Sequence, residues 1–209
     1  MFQRWPACAI SALVAILLSA TWLHAALPTP GEPPARGSLA GQLLIASPSM
    51  GDPRFDHTVI LLVQHGQDGA LGLVINRPLG ERPLASVLAI IGEKENAVGG
   101  TVRVFVGGPV QPQIGFVVHS TDYRRTETID IDGRVAVTST AEILRDIGLD
   151  RGPKKSIVAF GYAGWGKGQL ESELEAGAWY LAPEEPELVF DEDREKLWER
   201  AMARRTHDL

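Results

Sequence analysis

Two sets of residues in this chain carry side chains able to do chemistry. The first is dispersed: Asp52, His57, His65, Asn76, Arg77 and His119 fall beside turn-forming residues or at the ends of apolar runs, where binding and catalytic groups concentrate. Imidazoles at His65 and His119 with carboxylates at Asp52 and Glu171 would supply a general base or the ligands of a metal. A metal- or anion-dependent hydrolase built on Asp52, His65, His119 and Glu171 is therefore one reading. Their spacing matches no metal signature, and a histidine at a strand edge more often serves as a hydrogen-bonded structural group, so no metal or cofactor is expected.

The second set is local. Residues 156–174 (SIVAFGYAGWGKGQLESEL) predict a buried strand, a Gly-rich turn and a helix. Gly161 to Gly168 stops one residue short of a phosphate-binding loop and puts Gly168 where a magnesium-ligating hydroxyl would stand, so nucleotide hydrolysis is poorly supported. The glycines are better explained as letting Trp165 and the start of the helix pack closely on the sheet, with anion capture at the helix N-terminus as the alternative. No G-x-S-x-G occurs, and Ser139 with Glu142 reads as a capping box rather than a nucleophile.

These residues need elements to hold them. Apolar, β-rich runs at 39–46, 57–64 and 70–76 predict three strands, the last two joined as a hairpin through His65–Gly69. Leu84, Val87, Leu88 and Ile91 recur at helical spacing between Pro83 and Gly92. Further strands are expected at 102–106, 114–119, 128–131, 134–138, 156–160, 178–182 and 187–190. Helices are expected at 140–147, from Lys167 or Gly168 to Ala176 with Glu171, Glu173 and Glu175 mostly solvated, and from about Asp191 onward. In that last helix Lys196, Arg200 and Arg204 form a basic stripe opposite a packing face of Leu197, Trp198, Ala201 and Met202. Strands outnumber helices and several are joined by short turns. The pattern implies a single α+β domain with a mixed, largely antiparallel sheet core flanked by short helices.

Residues 1–26 read as a signal peptide or membrane anchor: Arg4 precedes a nearly apolar run from Cys8 to Leu23, and no Lys or Arg follows until Arg36. That run would form an N-terminal hydrophobic helix, and the charge asymmetry predicts a domain exported or anchored in the inner membrane facing outward. A misassigned start would make it cytoplasmic. Residues 27–37, with four prolines and two glycines, predict an extended tether, leaving residues 38–209 as the domain. The only cysteine is Cys8, so disulfides, thiol catalysis and cysteine-ligated zinc are excluded for that domain. Removing residues 1–25 takes away Arg4 alone, so 20 basic and 26 acidic side chains become 19 and 26, a formal charge of −7. Nucleic acid is thus not an expected partner, and contact with membrane is expected only through the N-terminal segment.

Several motifs together resemble the YqgE/AlgH family: P-x-M-x-D-P-x-F at Pro48 to Phe55, GALGLVINRP at Gly69 to Pro78, GGPV at Gly107 to Val110, and GFVVH at Gly115 to His119. GYAGW at Gly161 to Trp165, GQLE at Gly168 to Glu171, and Trp179 complete the resemblance. It implies a compact α+β fold in a family whose molecular activity is not established and whose regulator label comes from a genetic association. Two departures stand out: family members usually lack an export segment, and Gln64 stands before His65 where a glutamate is common. The expected function is a non-enzymatic binding or regulatory domain for a small ligand or protein. Its expected site is Asp52, His65, Asn76, Gly107, Gly108, His119, Trp165, Gln169 and Glu171, with the hydrolase and a transcriptional regulator as alternatives.

Overall fold

Apolar side chains in the strongest runs alternate between two buried faces, which is why the runs read as continuous rather than half polar. In the computed structural model, which describes residues 37–93 and 98–206, β1 (Gln42–Ala46) and β2 (Val59–Gly66) show this directly. Leu43, Ile45, Val59, Leu61 and Val63 enter one cluster, while Leu44, Ala46, Ile60 and Leu62 enter another. The hydrophobic N-terminal segment, with Cys8, and the tether as far as Arg36 lie outside the described residues. Among the described residues no helix is long and apolar enough to cross a membrane.

The remaining elements are β3 (Gly69–Val74), β4 (Pro78–Pro83), α1 (Leu84–Ile90), β5 (Thr101–Val106), β6 (Val110–Ser120), β7 (Ile129–Asp130), β8 (Val135–Thr138) and α2 (Ala141–Gly148). They are followed by β9 (Ser156–Gly166), α3 (Gln169–Glu175), β10 (Trp179–Pro183), α4 (Pro186–Val189) and α5 (Leu197–Met202). One 10-stranded sheet runs β10-β1-β2-β3-β9-β6-β8-β7, with β5 beside β9 and β4 beside β5. Among the described strands only the β5–β9 pair is parallel; the others are antiparallel, in an α+β arrangement. The long strand β9 joins the halves: it pairs with β6 along one edge, and along the other with β5 at Val158–Phe160 and then with β3 at Ala163–Gly166.

One face of the sheet closes over the large cluster that includes Phe105, Phe116 and Tyr162, capped by α4 and α5 through Leu188, Val189, Leu197 and Ala201. The other face is covered in two places: by α3 on the β1–β2–β3 half, and by α1 and α2 on the β5–β9–β6 half.

Five expectations are corrected. Residues 187–190 are not a strand: Pro186 stands in the first turn of α4, where its fixed φ and missing N–H suit a helix, and a four-residue apolar run has no decisive period. β4 was not expected because all six residues are exposed and both ends are proline, a composition found in strands only at sheet edges. The Gly-rich stretch is strand as far as Gly166 rather than a turn. Thr140, not Ser139, holds the cap position of α2, and its side chain makes no cap hydrogen bond; Glu142 then sits one residue too early for a capping box. Finally, α5 starts at Leu197 instead of near Asp191. Its basic stripe is neutralised within the fold, since Lys196 pairs with Asp193, Arg200 with Asp191 and Arg204 with Glu185.

Glu184, just after β10, is fully buried. Burial, then the neighbouring Asp132 carboxylate, pushes its pKa up to about 8, against the opposing charge of Arg134, whose Nη2 lies 3.1 Å from Oε2. Above about pH 4.5 the unfolded chain loses this proton while the folded chain keeps it, so stability falls as pH rises from 4.5 towards 8 and stays reduced beyond. Glu184→Gln is therefore expected to be more stable than the parent by about 1 to 2 kcal/mol at pH 9, once the offset from Arg134 is allowed for, and about equal near pH 4.5. Urea unfolding at the two pH values checks this; a constant difference between the proteins would show that Glu184 does not hold its proton.

Candidate functional site

Strand β9 brings Trp165 to the start of α3, and the local sequence sets the corner there. Gly168 caps α3 with φ 71°, a left-handed conformation that glycine adopts without a side-chain penalty. The amide of Gly166 donates to Gln169 Oε1 (3.0 Å), and Gln169 Nε2 donates to Glu173 Oε1 (2.9 Å). The other Glu173 oxygen accepts from two indoles, Trp165 Nε1 at 2.9 Å and Trp179 Nε1 at 2.8 Å. The two rings meet edge-on at 6.0 Å, and Phe55 lies edge-on to Trp179 at 5.6 Å. Glu173 is thus not a solvated helix residue but the half-buried acceptor that ties β9, α3 and β10 together. Its spacing of four from Gln169 was the one local signal, since such residues face each other on a helix.

Beside this corner, His65 Nδ1 accepts from the amide of Leu39 (3.1 Å), so Nε2 carries the proton and donates to Glu171 Oε1 (2.9 Å). Ser38 Oγ donates to the His65 carbonyl (2.9 Å). The His65–Glu171 pair therefore fastens the entering chain to β2 and α3. His65, Trp165, Gln169 and Glu171 are brought together here. Asp52 caps the 3-10 turn Pro53–Phe55 that carries Phe55 to Trp179. Its carboxylate accepts from the Arg54 amide (2.9 Å) and pairs with the Arg54 guanidinium (2.7 Å). Hydrogen bonds from Arg54 hold its pKa below the usual carboxylate value.

The other expected residues stand elsewhere. Asn76 staples two segments: Oδ1 accepts from the Val59 amide (2.9 Å) and Nδ2 donates to the His57 carbonyl (2.8 Å). Gly107 and Gly108 pass against the backbone of β9. A Cβ on Gly107 would sit 2.3 Å from the Gly161 carbonyl oxygen, and one on Gly108 would sit 2.1 Å from the Tyr162 carbonyl carbon. These glycines are where two backbones touch.

His119 on β6 is fully buried, and its bonds form one consistent chain. The Arg125 amide donates to Thr128 Oγ1, Thr128 can donate to Thr138 Oγ1, Thr138 to His119 Nε2, and His119 Nδ1–H to the Ser120 carbonyl. Every ring position is used. Burial lowers its pKa, which keeps the ring neutral at neutral pH. Of the four residues in the hydrolase reading, only His65 and Glu171 touch. Among the described residues no group of three or more His, Cys, Asp or Glu side chains is placed to hold a metal ion.

The family model described as AlgH-like matches residues 43–209. This chain belongs to the AlgH-like family. Among AlgH-like relatives, a UPF0301 protein of Jannaschia sp. (strain CCS1) is 46% identical over 166 residues, covering 78% of this chain and 86% of that protein. One from Rhodospirillum rubrum is 42% identical over 168 residues, covering 80% and 88%. The solution structure of the AlgH protein from Pseudomonas aeruginosa superposes with a TM-score of 0.70 at 39% identity, covering 83% of this chain and 92% of that one. A crystal structure from Corynebacterium diphtheriae, 22% identical with a TM-score of 0.60 over 85% and 90% of the two chains, shares the fold.

Among the described residues of this AlgH-like domain, two clefts lie away from the α3 corner. The larger, 510 Å³, is lined by Tyr123, Arg125, Glu142 and Asp146 among others. Its charges are matched: Asp146 accepts from Tyr123 (2.8 Å) and pairs with Arg125 and Arg151. The smaller, 250 Å³, collects Arg103, Lys154, Lys155 and Arg194. Sequence reasoning missed it, because its cations come from three segments distant in the chain.

Proposed function

We propose that this AlgH-like chain is a non-enzymatic binding or regulatory domain for a small ligand or protein, rather than a hydrolase or a DNA-binding regulator. The reading rests on the state of its acid-base groups. In three of the four residues of the hydrolase reading the hydrogen-bonding positions serve the fold: His119 at both nitrogens, His65 at Nδ1 on a backbone amide and at Nε2 on the fourth, Glu171, and Asp52 on Arg54. A general base needs a free lone pair within reach of the substrate proton. A formal charge of −6 also argues against nucleic acid as the main partner.

The test pairs two measurements. A thermal-shift screen of metabolites is expected to find a ligand that raises the melting temperature, since binding to the folded state alone stabilises it. Incubation with ester, phosphoester and peptide substrates is expected to give no turnover. Turnover that disappears in His65→Gln would instead establish the hydrolase reading.

We further place the domain outside the cytoplasmic membrane, on the charge asymmetry about the apolar run that follows Arg4. A reporter fused after Leu209 and active only when exported is expected to score positive; activity of a cytoplasmic reporter alone would reject this placement.

A further inference from the structure

Arg194 is a buried cation with no counter-ion among the described residues. It is 6% exposed, in the segment between α4 and α5. Its Nη1 donates to the carbonyls of Val189 (2.9 Å) and Ile75 (3.3 Å), and its guanidinium lies 5.1 Å from the centre of the Phe105 ring. Its Nε is buried with no acceptor, and among the described residues no carboxylate pairs with it. A charge taken out of water in this way is costly unless something opposite meets it. The buried carboxylate of Asp146, by contrast, has Arg125 as a partner of opposite charge, and buried Glu184 avoids the cost by keeping its proton.

The surroundings of Arg194 sharpen the imbalance. The parallel register of β5 and β9, with Val104 opposite Val158, sets Arg103 beside the start of β9, where Lys154 and Lys155 enter. These three cations line the 250 Å³ cleft with Arg194, against one carboxylate, Glu192, and an apolar wall at Phe190. Neither lysine side chain nor Arg103 forms an ion pair among the described residues. Burial, and then the charge of Arg103, holds the pKa of Arg194 down to about 10, as expected for cations crowded together. In a chain of net charge −6, such a concentration of unmatched positive charge is a local departure from the overall balance.

We propose that this cleft binds a small soluble molecule carrying a phosphate group. Two guanidiniums and two ammoniums offer the donors that a multiply charged oxyanion takes. The volume lies just below the range of about 300 to 1,000 Å³ typical of ligand pockets, which suits a phosphate and a short organic portion beside Phe190 rather than a dinucleotide. The cleft lies apart from the α3 corner, so this assignment does not depend on any role for that corner.

The full-length chain is titrated calorimetrically with inorganic phosphate and with phenyl phosphate, at ionic strength matched with chloride. Saturable binding and a raised melting temperature are expected. The exposed double change Lys154→Gln with Lys155→Gln is expected to weaken binding at least tenfold without altering the melting temperature of the free protein, and Arg103→Gln to weaken it comparably. Arg194→Met is expected to abolish binding while leaving the free protein as stable as the parent or more so, the reverse of what loss of a purely structural residue would do. Should Arg194→Met fail to fold, the lysine and Arg103 variants still decide the matter. Absence of saturable binding above the chloride control would overturn the proposal, as would binding undiminished in the lysine variant. A preference for a duplex oligonucleotide over phenyl phosphate would overturn the small-molecule assignment.

Discussion

Gly161→Ala is expected to cost the domain about 3 to 5 kcal/mol, against about 1 kcal/mol for Gly168→Ala. Both glycines hold left-handed backbone, at φ 73° and 71°, so an alanine side chain strains each to a similar degree. They differ in what lies beside them. At Gly168 a Cβ would meet nothing within 4 Å, whereas at Gly161 it would stand 2.4 Å from the Gly108 carbonyl oxygen. That oxygen belongs to backbone and cannot swing aside as the end of a flexible side chain would. Gly161 sits where β9 changes partner, after the residues paired with β5 and before those paired with β3. The Gly107 amide donates to the Phe160 carbonyl (2.7 Å), and the Val74 amide donates to the Gly107 carbonyl (2.8 Å). Moving the Gly107–Gly108 backbone away would loosen the junction between the halves of the sheet. Urea unfolding of both variants measures the two costs. Equal costs would show that backbone strain alone matters at Gly161 and that the close approach is dispensable.

Trp165→Ala is expected to destabilise by about 3 to 5 kcal/mol, while Lys167→Ala, two residues on and exposed, changes stability by less than about 0.5 kcal/mol. Trp165 is 5% exposed and packs with Ala163, Leu170 and Trp179 in the cluster beneath α3. Truncation removes a large buried aromatic surface and opens a cavity. It also takes one of the two indole donors from Glu173. Trp165→Phe isolates the packing: most of the ring area remains, the bond to Glu173 is lost, and the expected cost falls to about 1 to 2 kcal/mol. Chemical denaturation of the three variants supplies the comparison. If Trp165→Ala and Lys167→Ala proved equally costly, the Gly-rich stretch would not be serving close packing of Trp165.

Local pattern was enough for most elements, and the reason is visible in particular residues. The apolar runs around Leu43, Leu61 and Leu73 are buried on both sides, so their composition alone marked them as strands. The helical spacing of Leu84, Val87 and Leu88 marked α1. Reading failed where energy comes from distant partners. β4 has no apolar signal and exists because β5 offers an edge. Residues 187–190 are too short to show a period, and Pro186 tipped them to helix. The Gly-rich run around Gly161 looked like a turn because glycine usually makes turns. Here it allows one strand to touch another.

For the candidate site the division follows the range of the interactions. The corner at Trp165, Gln169 and Glu171 was legible because strand, glycine cap and helix are consecutive in the chain, and His65 was legible as a polar group at a strand end. Composition also determined that the domain has no thiol chemistry and carries excess negative charge. Tertiary structure alone decided that His119 is sealed in a satisfied threonine network and that Glu173 accepts from two tryptophans. It alone decided that Gly107 and Gly108 lie against the backbone of β9, and that Arg194 is buried beside Arg103, Lys154 and Lys155 with no carboxylate partner among the described residues. Hydrogen-bond saturation and charge compensation depend on which side chains come within a few ångströms across the sheet. The chain's order specifies that proximity only through the whole set of strand pairings.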